Sequence, residues 1–99
     1  MARVRLSGFL LCRSLDEADR VSHLLADHVR LTRAEPGCLR FELLRSSADP
    51  TRFAVFEEFR DAEAFAAHRE RASNSAWGRA TRGIPRDYEI TGLDRETEE

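Results

Sequence analysis

Apolar side chains recur along this chain with two different periods, and the alternation of those periods lays out the elements. Val4–Cys12 (Val-Arg-Leu-Ser-Gly-Phe-Leu-Leu-Cys) is rich in strand formers and bounded by charge, which predicts a strand. Ser14-Leu15-Asp16-Glu17 has the form of a capping box. The Ser14 hydroxyl accepts from the Glu17 amide while Glu17 reaches back, so a helix starts there. It should run to about Ala34, because Pro36 drives the residue before it out of helical angles. On a helical wheel Ala18, Val21, Leu24, Leu25, His28, Val29, Leu31 and Thr32 share one arc. Asp19, Arg20, His23, Asp27, Arg30 and Arg33 share the other. After the Pro36-Gly37 turn, Cys38–Leu44 alternates with period two and predicts a second strand. Ser46–Pro50 is a turn cluster. Arg52–Phe59 is a third strand with apolar groups on both faces: Phe53, Val55, Glu57 and Phe59 against Ala54, Phe56 and Glu58. Asp61 is placed to cap a helix from Ala62 to about Ala72, with Ala64, Phe65, His68 and Ala72 on one face and Arg71 at its edge. Ser73-Asn74-Ser75 interrupts the pattern. A short helix with Trp77 and Ala80 follows, which Gly83 is placed to end in the left-handed conformation. Arg86–Thr91 is the fourth strand. The polar, acidic tail is expected to fray.

The order β-α-β-β-α-β predicts an α+β, ferredoxin-like fold. Its four-stranded antiparallel sheet would have strand order 4-1-3-2 and both helices on one face. The other face then stays bare. It shows Phe56, or Phe53, Val55 and Phe59 if the strand is turned over. Apolar surface is worth about 25 cal/mol per Å² when buried, so a homodimer formed face to face is expected.

Length and charge narrow the partners. The 99 residues make one domain, 1–99, with a core over about 4–91 and a polar tail over 92–99. A net charge of -2 argues against nucleic acid. No apolar run is long enough to span a membrane. The N-terminus has no long apolar stretch of the signal-peptide kind, so a cytoplasmic location is expected. All 16 basic residues are arginine, which removes lysine as base or Schiff-base former. Cys12 and Cys38 form no CxxC motif. In the expected strand order they lie two strand spacings apart, at least about 9.6 Å, so two free thiols are predicted.

Two stretches carry a resemblance. Glu35-Pro36-Gly37-Cys38-Leu39-Arg40-Phe41 and Phe53–His68 resemble the antibiotic biosynthesis monooxygenase family of the dimeric α+β barrel superfamily. The likeness extends over roughly residues 4 to 91. It implies the ferredoxin-like fold, paired through its sheets into an α+β barrel, and a pocket between each sheet and its own helices. It also implies cofactor-independent oxygenation of quinols or aromatic phenols, with no metal or flavin. There a base deprotonates the substrate and the resulting anion reduces O₂. Two branches fit poorly. Haem-degrading members use an Asn, Trp and His set, where this chain has Ser7 and Gly8, Phe59, and Gly78. The anthrone-oxygenase branch has tryptophan at the Phe59 position.

His28 and His68 are the leading chemical candidates, because each lies on the buried face of a helix on the same side of the sheet. Imidazole titrates near neutrality, which suits removing a phenolic proton. The resemblance also puts a histidine at position 68, so His68 is the first candidate for base or orienter and His28 the second. Trp77, Phe59, Arg71 and Tyr88 are candidate substrate contacts. Trp77 is equally well a hydrophobic plug, and Arg71 and Arg86 are more simply read as surface ion pairs. Ser75 is a weaker hydrogen-bonding candidate. Glu57, in an otherwise apolar face, should be paired or project to the rim, with an arginine such as Arg40 across the strands, or the partner subunit, as a candidate mate. Nothing in the spacing of His28, His68 and Glu57 calls for a metal. The leading function is a monooxygenase of a small aromatic molecule. The alternatives are an isomerase or lyase of small carbonyl compounds, and a non-catalytic dimeric ligand-binding or stress protein. A roomy pocket with His28, His68 and Trp77 favours the first, a small polar pocket the second, and a filled core the third.

Overall fold

The computed structural model describes residues 2–93. Its elements are β1 (Val4–Leu11), α1 (Leu15–Arg33), β2 (Cys38–Arg45), β3 (Arg52–Phe59), α2 (Ala62–Ser73), α3 (Ala76–Thr81) and β4 (Arg86–Thr91). Of the tail expected to fray, residues 94–99 lie outside the described residues. The strands form one antiparallel sheet in the order β2-β3-β1-β4, which is the ferredoxin-like order predicted above.

Local chemistry sets the helix starts. Ser14 Oγ accepts from the Glu17 amide at 3.1 Å, and the Arg13 amide donates to Glu17 Oε1 at 2.7 Å. Asp61 Oδ1 accepts from the Ala64 amide at 2.8 Å. Ser75 Oγ does the same for Gly78 at 3.1 Å, so the polar run that breaks the helical pattern is also the cap of α3. Past the end of α3, Gly83 takes φ 87°, a conformation that suits glycine.

Phe53, Val55, Glu57 and Phe59 turn toward the helices and are buried, so the open face carries Ala54, Phe56 and Glu58. The core is built from Val4, Leu6, Leu10, Phe41, Leu43, Phe53, Val55 and Phe59, closed by Ala18, Val21 and Phe65 from the helices. A bulge between Cys38 and Arg40 shifts the β2–β3 register, so that Phe41 faces Glu57 and Arg40 faces Glu58. The expected Arg40–Glu57 pair is therefore absent. Arg40 lies on the opposite face, bonded to Glu42 at 3.1 Å and placed over the Phe56 ring at 4.8 Å. Cys12 and Cys38 are free thiols at opposite ends of β3, one beside Thr51 and the other paired with Phe59. No helix among the described residues is long and apolar enough to cross a membrane.

Candidate functional site

Between the helices and strands β1, β3 and β4 lies a cavity of about 380 Å³. His28 enters it from α1, His68 from α2, Trp77 from α3, Glu57 from β3 and Tyr88 from β4. Helical spacing places the two histidines on the inward faces of α1 and α2. Both are only 5% exposed, and their ring centroids are 6.0 Å apart.

His68 is held by residues that sequence separation hides. Its Nδ1 lies 2.9 Å from Glu35 Oε1. A carboxylate accepts only, so Nδ1 carries the proton and the Nε2 lone pair is left free. Glu35 is itself clamped by the Arg71 guanidinium, which also donates to Thr32 Oγ1 at 3.0 Å. Burial pulls the His68 pKa down, and the charge and hydrogen bond of Glu35 oppose that pull. The ring is a neutral imidazole with a fixed tautomer, the state a proton acceptor needs.

His28 has a different environment. Its ring stacks on Trp77, with centroids 4.4 Å apart and planes at 2°, and meets Phe41 edge-on at 5.4 Å. Its buried Nδ1 has no hydrogen-bond partner. Burial pushes its pKa down to about 3, and the Arg71 charge, with that of His68 whenever it is protonated, acts in the same direction. Such a ring orients a hydrogen-bonding ligand but holds a proton poorly. Burial pushes the Tyr88 hydroxyl up to about 12, so it remains a phenol. Burial likewise raises the Glu57 carboxyl to about 7; Arg69 opposes this and Glu35 adds to it.

The structure thus brings His28, His68, Trp77 and Tyr88 to one cavity. Phe59 and Arg71 stand behind its wall. Phe59 is fully buried under the His68 ring, at 4.9 Å between centroids, and Arg71 is spent on Glu35 and Thr32. Arg86 also lines the cavity, but its guanidinium bonds the Thr81 and Ile84 carbonyls. The sequence reading did not single out Glu35 as a site residue, nor Arg69 and Arg82, which line the cavity as well. Glu35 could have been flagged only through the Glu35–Phe41 motif, since 33 residues separate it from His68. A wider groove of about 780 Å³ between α1 and β2 is lined by aliphatic and arginine side chains with the half-exposed Glu42 as its one carboxylate, and holds no histidine. Among the described residues no group of three His, Cys, Asp or Glu side chains is placed to hold a metal ion.

Residues 14–80 match the family described as antibiotic biosynthesis monooxygenase. No curated protein matches the chain. Solved structures do. A Nitrosomonas europaea protein whose name carries the same family term is 24% identical, with a TM-score of 0.72 over 92% of this chain and 89% of that one. A Pseudomonas aeruginosa protein is 25% identical, with a TM-score of 0.68 over 94% and 93%. A Caulobacter crescentus protein, again named with the family term, is 17% identical, with a TM-score of 0.69 over 93% and 90%. At such identities the likeness to these structures concerns the fold.

Proposed function

Because the chain belongs to the antibiotic biosynthesis monooxygenase family, we propose that it is a cofactor-independent monooxygenase of a quinol or similar phenolic aromatic, acting as a homodimer. The supporting observation is the cavity itself. Its volume of about 380 Å³ lies within the range of small-molecule pockets, roughly 300–1,000 Å³. It combines an aromatic wall at Trp77 with one fixed imidazole base, and Glu57, Tyr88 and the arginines Arg69, Arg82 and Arg86 complete its lining. A filled core would have favoured a non-catalytic protein, and a small polar pocket a carbonyl isomerase. In this reading the substrate ring lies near the Trp77–His28 stack and its hydroxyl gives a proton to His68 Nε2. The electron-rich anion then reduces O₂. The substrate loses two hydrogens and gains one oxygen atom, while the other oxygen leaves as water. Neither flavin nor metal is required by that balance.

Oxygen uptake with a panel of quinols and phenols tests the activity. For a responding substrate, His68→Ala should lower turnover about 10²–10⁴-fold, the range for a lost general base. His23→Ala, on the exposed face of α1, is the control and should change nothing. A His68→Ala protein that melts early yet turns over normally per folded molecule would leave His68 a packing residue.

A further inference from the structure

Glu57 is a carboxyl group inside an apolar strand face, 8% exposed, and it lines the cavity. Buried polar groups are almost always hydrogen-bonded, and a lone carboxylate is costly to bury. Its contact with His68, Nε2 to Oε1 at 3.9 Å, is too long for a hydrogen bond. The bulge in β2 turns Arg40, the nearest candidate on the facing strand, to the other side of the sheet. Glu57 and the free lone pair of His68 are therefore two complementary groups that face one space without bonding each other.

We propose that Glu57, as the neutral acid, is a second catalytic residue that donates a hydrogen bond to the same substrate oxygen whose proton His68 accepts. This rests on the phenol-binding reading above. An oxygen about 2.8 Å from each of two atoms 3.9 Å apart is reachable without moving either side chain. The substrate O–H bond breaks, its proton goes to His68 Nε2, and the imidazolium is paired through Nδ1–H with Glu35. The oxyanion left behind accepts from the Glu57 hydroxyl, which stays protonated. A carboxylic acid in an apolar site stabilises a developing oxyanion in this way because the donor needs no reorganisation as charge appears. The charged and titratable groups around Glu57 are His68 and Arg69 on α2, Glu35 before β2, Cys38 on β2 and Tyr88 on β4, with His28, Arg82 and Arg86 lining the same cavity. Burial outweighs Arg69 and holds the acid form to about pH 7.

Binding of phenol provides the test, since its hydroxyl titrates only near about 10, as tyrosine does. Calorimetric Kd values are measured from about pH 5.5 to 9 for the intact protein, Glu57→Gln and Glu57→Leu. Circular dichroism confirms that each variant is folded. In the unsubstituted protein Kd should be flat at low pH and then rise toward tenfold per pH unit above a break near 7, because only the acid form donates. Glu57→Gln keeps an N–H donor, so its Kd should lose the break and stay close to the low-pH value. Glu57→Leu should bind at least about tenfold more weakly throughout. A break that persists in Glu57→Gln, or a flat profile in the unsubstituted protein, overturns the role of Glu57 while leaving phenol binding intact. Phenol that binds none of the three proteins overturns the phenol-binding reading and this inference with it.

Discussion

His28 shows how one side chain joins packing to chemistry. Its ring supplies stacking on Trp77 and an edge contact with Phe41, while its Nδ1 has no partner. Its pKa is near 3 in the folded protein and about 6.5 in the unfolded chain. Between those values the unfolded state binds more protons, so stability contributed by neutral His28 is lost as pH falls from about 6.5 toward 3. Glu57 works in the opposite sense, losing stability as pH rises from about 4.5 to 7, and because both proteins carry it that contribution cancels when they are compared at one pH. His28→Phe keeps a stacked ring of similar size and removes both the titration and the orphan nitrogen. At pH 7 its stability should lie within about 1 kcal/mol of the unsubstituted protein. At pH 4 it should be the more stable of the two by on the order of 1–3 kcal/mol, with each kcal/mol worth about 4–8 °C in Tm. Thermal melts at the two pH values check this, and parallel melting of both proteins would show that His28 does not titrate as its burial demands.

The close approach of α3 to α2 carries Trp77 to its place. A Cβ on Gly78 would lie 2.1 Å from the Ala72 carbonyl oxygen and 2.7 Å from Ser73 Cα, so the first turn of α3 rests directly on the end of α2. Gly78→Ala should cost about 1–3 kcal/mol through overpacking and push Trp77 off the His28 ring. A lower Tm together with red-shifted tryptophan fluorescence would show both effects; an unchanged emission maximum would mean that α3 moves without Trp77. The glycine is readable in the sequence only as the absence of a histidine, and the contact that requires it is not. The same division runs through the other elements. Ser14 and Asp61 announce their helices because a cap and its amide lie three residues apart. The inward faces of α1 and α2 follow from period, which puts His28 and His68 on buried surfaces; on β3 both faces carry apolar groups, so period alone leaves open which side holds Glu57. What period cannot encode is a long-range contact or a register shift. Glu35 meets His68 only because the turn after α1 packs beside α2. One inserted residue at Leu39 moved Arg40 off the Glu57 face, so a partner inferred from simple alternation was the wrong one.

At the scale of the whole molecule the helices cover one side of the sheet and leave the other open. Across that side run Leu44, Ala54 and Phe9, paired in register, and beside them Glu42, Phe56 and Ser7. Leu44 is 66% exposed and Phe9 38%. Arginines lie over the aromatic rings, Arg40 over Phe56 at 4.8 Å and Arg52 over Phe9 at 5.0 Å, and Arg5 bonds Glu58 at 3.1 Å. This arrangement shields the rings only in part, and in a small domain apolar surface of that kind is worth about 25 cal/mol per Å² to whatever buries it. Two copies packed about a twofold axis would cover it with the same residues from each side. A stable interface needs about 800 Å² per partner, which is within reach of a four-stranded face. Phe56 points away from the cavity, so a charge there should break the pairing without disturbing the fold or the histidines. Sedimentation equilibrium at micromolar concentration should therefore give the unsubstituted protein twice its 11.3 kDa chain mass. Phe56→Asp should shift it to the single-chain mass while leaving the circular dichroism spectrum unchanged. Leu31→Asp, an equally conspicuous change at an exposed leucine of α1, away from the sheet's open face, should remain dimeric. An 11.3 kDa species for the unsubstituted protein would rule out sheet-to-sheet pairing and leave the arginines as the sole cover of that face.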